Sequence, residues 1–192
     1  MKILGIDPGI GICGFGLIKT SGINDSKVLD YGAITTEVDA PLPSRLKELY
    51  DSLEQVFKET QPDLVAIEKL FFSKNITTGI AVAEARGIVL LVAEQSSIQV
   101  YEYTPNEIKK TLTGYGAADK SQIQEMVRLH LGLKEKPRPD DAADALALAI
   151  CHCWRAPMMA RMAAAEAAAA EQKRRYEARL REQAAARKAG TR

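Results

Sequence analysis

The stretch that decides the fold is the N-terminal segment Ile3-Leu4-Gly5-Ile6-Asp7-Pro8-Gly9. Three aliphatic residues in the first six positions predict a buried β-strand, which Pro8-Gly9 ends at once. Asp7 therefore stands at the end of a hydrophobic strand, where an unpaired charge is costly. A helix N-terminus, a basic partner or a metal ion would satisfy it there. A turn aspartate that faces water is the alternative that this stretch leaves open.

The composition is that of one ordinary domain with a full core, since the 192 residues are 46% apolar and 27% charged. No segment has the pattern of a signal peptide, and no apolar run is long enough to span a membrane, so we expect no membrane association. Three cysteines are odd in number and lack metal-ligand spacing, which favours a reducing cytoplasm. The net charge of +1 combines an acidic body with a basic tail that follows Trp154.

Strand patterns and helix patterns alternate along the chain. Predicted strands cover residues 3–7, 12–18, 28–34, 64–67 and 98–103, and predicted helices begin near Pro43, Asn75, Pro105, Lys120 and Asp140. The first three strands are close enough in sequence to predict an antiparallel meander. Asp119 and Gln122 have the spacing of a capping box for the helix that begins at Lys120.

The helix predicted over residues 75–94 is apolar on two sides, with Ile80, Ala83, Gly87 and Leu90 on one of them. A helix of this kind is buried on both sides. One side can pack on the sheet, and the other suits a symmetric partner helix. Burial of both sides within one chain is the alternative.

Acidic residues stand at the ends of core elements. Glu68 closes a short apolar strand, as Asp7 does, and Asp141 and Asp144 lie one turn apart on the last core helix. Like charges at that spacing repel, so a buried position requires a cation. Asp140 and Asp141 could instead be helix-start acids that the dipole stabilises, but this explains Asp144 poorly.

Together these four carboxylates form a candidate metal site without cysteine or histidine. Such all-oxygen sites suit Mg²⁺ or Mn²⁺. Two such ions about 3.5–4 Å apart can hold the attacking and leaving oxygens of a phosphodiester hydrolysis.

From Met158 onward the sequence is rich in Ala, Glu, Arg and Gln and lacks periodic large apolar residues. It predicts a solvated helix or a disordered extension. A solubilising role and a contact with a nucleic acid backbone are both open.

Several motifs, in order and in spacing, are similar to those of a known family. They are Gly5–Gly9 with Gly14–Gly16, Ile67–Phe71 with Lys74-Asn75, Glu84–Gly87, Gly114–Gly116 with Lys120–Gln122, and Asp141–Ala147. Over nearly all of residues 1–155 the chain resembles the RuvC family of bacterial Holliday-junction resolvases. Cys13 departs from the family pattern, which has threonine there, and Asp140 adds a carboxylate that leaves open which aspartates bind metal.

The resemblance implies an α/β chain with an RNase H-like fold, a five-stranded mixed sheet flanked by helices. The nuclease domain would span residues 1–155. The resemblance does not extend to residues 156–192, which from their composition we expect to form an Ala/Arg/Glu-rich C-terminal extension, helical or disordered. It implies a homodimer that cleaves four-way DNA junctions by paired symmetric nicks in DNA recombination and repair. It also implies Mg²⁺ dependence, with two ions per site for which Mn²⁺ substitutes, and RuvA and RuvB as branch-migration partners. Asp7, Glu68, Asp141 and Asp144 would bind the metal.

DNA contacts are predicted around this site. Phe71 matches the family's stacking position, where an exposed aromatic can stack on an unpaired base. Candidate DNA-binding residues are Lys69, Lys74, Asn75, Arg86, Lys109 and Lys120. Basic side chains of this kind contact phosphates and position DNA without reading its sequence, and Lys120 could also stabilise charge on the scissile phosphate as a catalytic residue. A core position for one phenylalanine, and a solvated surface charge for any single base, are the alternatives.

Two other classes share part of the pattern. Actin-like ATPases and sugar kinases present an aspartate from their first strand, but this chain has no second duplicated half. A non-catalytic junction-binding protein is the other rival, and the intact acidic set argues against it because binding an anion needs no buried carboxylates.

Overall fold

The computed structural model of the chain describes residues 1–70 and 76–189, with side chains except those of residues 76–78 and 180–189. Its strands are β1 Lys2–Asp7, β2 Ile12–Gly22, β3 Asp25–Thr35, β4 Leu64–Glu68 and β5 Gln99–Tyr103. Its helices are α1 Leu42–Thr60, α2 Ile76–Gln95, α3 Pro105–Thr113, α4 Lys120–His130 and α5 Asp140–Ala189.

The strands form one five-stranded sheet in the order β3-β2-β1-β4-β5. The pairs β1–β2 and β2–β3 are antiparallel, whereas β1–β4 and β4–β5 are parallel. The predicted five-stranded mixed sheet with flanking helices and the predicted antiparallel meander are both confirmed. β2 and β3 extend beyond the predicted strands, because polar residues up to Gly22 and from Asp25 still pair across the hairpin.

One face of the sheet carries the main hydrophobic core. Side chains that alternate along β1, β2 and β4 pack there against α1 and α2. Fully or almost fully buried members include Leu4, Ile6, Leu17, Leu49, Leu53, Phe57, Val65, Ile67, Val89 and Val92. This period-2 burial is what places Asp7, Gly5 and Gly14 on the opposite face.

The opposite face of the sheet is covered by the first turns of α5, which lie very close to the strands. A Cβ atom added to Gly5 would lie 1.8 Å from the carbonyl oxygen of Ala145, and one added to Gly14 would lie 2.1 Å from that of Asp141. Gly16, which pairs with Gly5 in register, faces Leu146 in the same way. Only glycine leaves room for this approach of helix backbone to strand backbone.

The starts of α3 and α4 are fixed by capping boxes. Thr104 Oγ1 accepts a hydrogen bond of 3.1 Å from the Glu107 backbone N–H, and the Glu107 carboxylate accepts one from Thr104 N–H. Asp119 and Gln122 make the reciprocal pair at α4, with distances of 2.8 and 2.9 Å. The capping box predicted for α4 is confirmed, and it sets Lys120 at the first helical position.

α2 is buried on its sheet side and exposed on its outer side. Ala85, Val89 and Val92 are fully or almost fully buried, whereas Ile80 and Leu91 remain 51% and 47% exposed. Ile80 and Leu91 are eleven residues apart and therefore lie on the same face of the helix. α2 thus has a second apolar side that the described part of the chain does not cover.

The chain divides into two compact units, Met1–Trp154 and Arg155–Arg192. In the second unit α5 continues to Ala189, and the side chains of residues 160–179 are exposed. Of the two structures that the sequence left open for this segment, the helix is the one observed. None of the helices in the described residues combines the length and apolar character that a membrane span requires.

The glycine contacts with α5 generate a prediction about stability. Gly14→Ala forces the α5 backbone away from β2, and we expect it to lower the free energy of unfolding by about 1–3 kcal/mol, the usual cost of overpacking. Gly22→Ala on the same strand is the control, because no heavy atom lies within 4 Å of the added Cβ. Urea unfolding followed by circular dichroism measures both variants. Equal urea midpoints for Gly14→Ala and Gly22→Ala would contradict the close packing of α5 on the sheet.

Candidate active site

The candidate site begins where two parallel strands end side by side. β1 and β4 pair in register through Ile6 and Ile67, so the residues that follow them, Asp7 and Glu68, lie next to each other at the same edge of the sheet. Both carboxylates are partly buried. The chain thus places two acidic side chains at the carboxyl ends of its two central strands.

α5 brings two more carboxylates to this edge. Asp7 pairs in register with Gly14, and Gly14 contacts the backbone of Asp141. Asp144 follows one turn later and faces the same strands. Asp7, Glu68 and Asp144 line one cleft, and the charges of Asp144, Glu68 and Asp141 raise the pKa of Asp7. That the four acids bind a metal ion together stays a prediction.

Lys120 is the cation closest to the cluster in the described residues. Its Nζ atom lies 3.0 Å from Asp144 Oδ2 and 3.4 Å from Asp140 Oδ2. Burial opposes the charge on Lys120, but the hydrogen bond and the negative charge of Asp144 raise its pKa above the usual value. Lys120 therefore stays protonated at neutral pH.

These side chains line a cleft of ≈ 200 Å³. Asp7, Glu68 and Asp144 form its acidic wall, and Lys109 and Lys120 form its basic wall. Apolar side chains complete it, namely Ile108, Ile123, Ala147 and Leu148. The charged residues of this cleft were predicted from the sequence, but its apolar lining was not. The only sequence signal for the lining is the inward helical periodicity of Ile108 and Ile123.

Burial and mutual repulsion disfavour the charged form of the carboxylates. The pKa of Asp7 is raised to about 7, and burial is the largest cause. The neighbouring carboxylates contribute next, in the order Asp144, Glu68 and Asp141. The ammonium group of Lys120 opposes this rise.

Glu68 and Asp144 follow the same trend. Burial raises the pKa of Glu68, Asp144 raises it further, and Lys109 lowers it. Burial also raises the pKa of Asp144, against the hydrogen bond and charge of Lys120. The cluster therefore concentrates more negative charge than its own lysines neutralise.

This donor set fits a hard divalent cation. Partly buried carboxylate oxygens with raised pKa values are ligands that Mg²⁺ or Mn²⁺ prefers, and a cation would relieve their repulsion. In the side-chain conformations of the described residues, no three Asp, Glu, His or Cys groups converge tightly enough to bind one ion together. Lys120 contacts Asp144 there through the Oδ2 atom of the carboxylate.

The predicted DNA-binding residues fall into three groups. Lys109 and Lys120 line the cleft, and Lys69 is exposed directly after Glu68. Arg86 on α2 forms an ion pair with Glu102 on β5 and does not line the cleft. Phe71, Lys74 and Asn75 lie outside the described residues.

Comparison with known proteins identifies the family. The family model described as crossover junction endodeoxyribonuclease RuvC matches residues 3–152. The chain belongs to the RuvC family. It is 48% identical to crossover junction endodeoxyribonuclease RuvC of Rhodococcus jostii over 192 residues, which cover 100% of both chains. The resemblance predicted from the sequence motifs is confirmed.

Solved structures agree with the RuvC assignment. Thermus thermophilus RuvC in complex with a Holliday junction substrate matches with a TM-score of 0.78 and 36% identity, over 82% of this chain and 96% of that one. The yeast mitochondrial resolvase Ydc2 matches with a TM-score of 0.59 at 12% identity, over 80% of each chain. The RNase H-like fold predicted for the chain is confirmed.

The raised pKa of Asp7 generates a prediction about pH. From about pH 4 to pH 7 the folded protein keeps a proton that the unfolded chain has lost, so the free energy of unfolding falls as the pH rises. Asp7→Asn removes the buried charge. We expect its melting temperature in EDTA to exceed that of the wild type by more at pH 8 than at pH 5.

Asp51→Asn is the matched control, because Asp51 is an exposed carboxylate on α1 paired with Lys47. Its melting temperature should depend on pH in the same way as that of the wild type. If Asp7→Asn raises the melting temperature by the same amount at pH 5 and pH 8, the Asp7 charge does not destabilise the fold.

Proposed function

We propose that this RuvC-family protein resolves four-way DNA junctions by paired symmetric nicks, with Mg²⁺ bound by Asp7, Glu68, Asp141 and Asp144. Membership of a family of crossover junction endodeoxyribonucleases confirms the nuclease class and the junction substrate predicted from the sequence. The convergence of carboxylates from β1, β4 and α5 beside two lysines is the observation that carries the proposed chemistry.

Each side of the cleft has a separate role in this proposal. When bound, the Mg²⁺ ions would activate a water molecule and stabilise the leaving 3′-oxygen. The ammonium groups of Lys109 and Lys120 attract the scissile phosphate and offset its charge. Asp144 orients Lys120 through the 3.0 Å contact. The apolar wall of Ile108 and Ile123 limits access of bulk water, which strengthens these electrostatic contacts.

A homodimer suits the exposed side of α2. Ile80 and Leu91 give it two large apolar side chains that are about half exposed, and a Cβ at Gly87 between them would meet no atom within 4 Å. A second copy packed on this face would bury them and hold two sites at a fixed distance. Paired nicks on two strands of like polarity require such a symmetric pair.

Partners and location follow from the same proposal. RuvA and RuvB act on the same DNA junction in the family that the chain resembles, and we infer that they are its partners here. Work on chromosomal DNA places the protein in the cytoplasm. All three cysteines are buried thiols, which a reducing compartment maintains.

Cleavage of a labelled synthetic four-way junction tests the proposed function. With Mg²⁺ we expect paired nicks from the wild type and from the Asp51→Asn control. Asp7→Asn should bind the junction but lose cleavage. Mg²⁺ should also raise the melting temperature of the wild type, since it binds the folded state, and raise that of Asp7→Asn less.

The same assay separates the rivals. Junction binding without cleavage under every metal and sequence tried would leave a non-catalytic binding module. Cleavage by Asp7→Asn at the wild-type rate would remove Asp7 from the metal site.

A second pair of variants tests which aspartates of α5 bind metal. The Asp144 side chain is 34% exposed and the Asp140 side chain is 63% exposed, although both contact Lys120. We expect Asp144→Asn to slow cleavage by more than about 100-fold, the upper end for residues that only support a metal ligand. Asp140→Asn should stay within about fivefold of wild type, because an exposed ion pair contributes at most about 1 kcal/mol. Equal losses, measured as single-turnover cleavage rates, would place both aspartates in the site.

A further inference from the structure

A second cleft lies beside the first turn of α4, outside the carboxylate site. It has a volume of ≈ 520 Å³ and is lined by Tyr115, Ser121, Gln122, Met126 and Lys136 among others. We call it the Tyr115 cleft. Its lining offers an aromatic ring, a thioether, an amide and an ammonium group. None of these groups belongs to the metal site described above.

Tyr115 is exposed but its backbone is held in place. The side chain is 63% exposed, so its ring is accessible to a partner. Thr113 Oγ1 accepts a hydrogen bond of 3.1 Å from the Tyr115 N–H, and the one proton of this hydroxyl is within reach of the Lys109 carbonyl oxygen at 2.8 Å and the Tyr115 carbonyl oxygen at 3.0 Å. Gly114 takes a left-handed conformation with φ 74°.

The other side of the same loop packs against α3. A Cβ at Gly116 would lie 2.3 Å from Asn106 Oδ1, so the loop passes close to the Asn106 side chain of that helix. A ring presented by a fixed loop loses little conformational freedom when it binds a partner.

The charge of the cleft suits a nucleotide. Lys136 Nζ donates hydrogen bonds to the Ser121 hydroxyl at 2.8 Å and to its carbonyl oxygen at 3.1 Å, so its charge is fixed at the rim. Glu125 is the one acidic residue among those that line the described cleft, and Arg128 pairs with it at 2.6 Å. An aromatic ring beside a fixed cation is the combination that binds a base and its phosphate.

The Tyr115 cleft and the carboxylate cleft flank the same turn of α4. Lys120 lines the carboxylate cleft, and the next residue, Ser121, lines the Tyr115 cleft. A helix with its side chains is about 10–12 Å across. Nucleotides along a stacked strand are spaced by about 3.4 Å, so one strand can reach both clefts within a few nucleotides.

We propose that the Tyr115 cleft binds an unstacked nucleobase of the junction strand, a few nucleotides from the scissile phosphate, with Tyr115 as its stacking surface. The inference rests on the proposed junction-cleaving function and adds to it a positioning residue for the DNA strand. A base bound in this cleft fixes the DNA strand on the far side of Lys120.

Substitutions at Tyr115 test the proposal in the full-length protein. Tyr115→Ala removes the ring, and we expect it to weaken junction affinity and raise KM by about 5- to 150-fold, the range for loss of one stacked base. Tyr115→Phe keeps the ring and should behave as wild type. Tyr176→Ala is the matched control, because Tyr176 on α5 is equally exposed at 63%.

The position of the base is read with 2-aminopurine. The probe is placed singly at each of the six nucleotides on either side of the cleavage point, and wild type and Tyr115→Phe should quench it at one of these positions. Tyr115→Ala should abolish that quenching. An abasic nucleotide at the same position should weaken wild-type binding and leave Tyr115→Ala binding unchanged.

Other outcomes overturn the inference. Wild-type affinity for Tyr115→Ala, or equal losses for Tyr115→Ala and Tyr115→Phe, would rule out stacking on the ring. Loss of activity without any change in 2-aminopurine quenching would assign the cleft to contacts other than a base. These results are distinct from failure of the proposed function, in which the wild type itself leaves the junction uncut.

Discussion

The close contact between α5 and the glycine-lined face of β1 and β2 is the constraint on which the site depends. Because Gly5 and Gly14 have no side chains, the helix backbone lies where a Cβ atom would be, 1.8 Å from the Ala145 oxygen in the tighter case. The strand register puts Asp7 opposite Gly14, so the same contact that packs the helix brings Asp141 and Asp144 to the strand ends. Any residue larger than glycine there would move two carboxylates together with the helix.

The fold holds these carboxylates at an electrostatic cost. The raised pKa of Asp7, about 7, reflects burial first and neighbouring charge second. The hydrophobic contacts on the other face of the sheet supply the stability that offsets this cost. Lys120 offsets part of it locally, because the capping box of α4 fixes its position beside Asp144. Such destabilised clusters are typical of sites that act on charged substrates.

Sequence patterns predicted the features that depend on residues close together in the chain. The acids that end β1 and β4, the capping box at Asp119 and the antiparallel meander all follow from spacing within a few residues. Contacts between distant segments were not visible. Arg86 and Glu102 pair between α2 and β5, whereas the sequence had predicted a DNA contact for Arg86. The helical state of α5 beyond Met158 also stayed open, since alanine and arginine favour a helix but bury nothing there.

The first turn of α4 connects the chemistry of the site to the placement of its substrate. One capping box positions Lys120 toward the carboxylates, and the next residue, Ser121, receives the hydrogen bonds of Lys136 on the other side. A phosphate neutralised on one side and a base stacked on the other would be held by the same rigid turn. A helix end fixed by two backbone hydrogen bonds moves as a unit. It would therefore hold the DNA strand in position at both the phosphate and the base. In the proposed function, placement of the scissile phosphate would therefore depend on a capping box that Asp119 and Gln122 predict from the sequence.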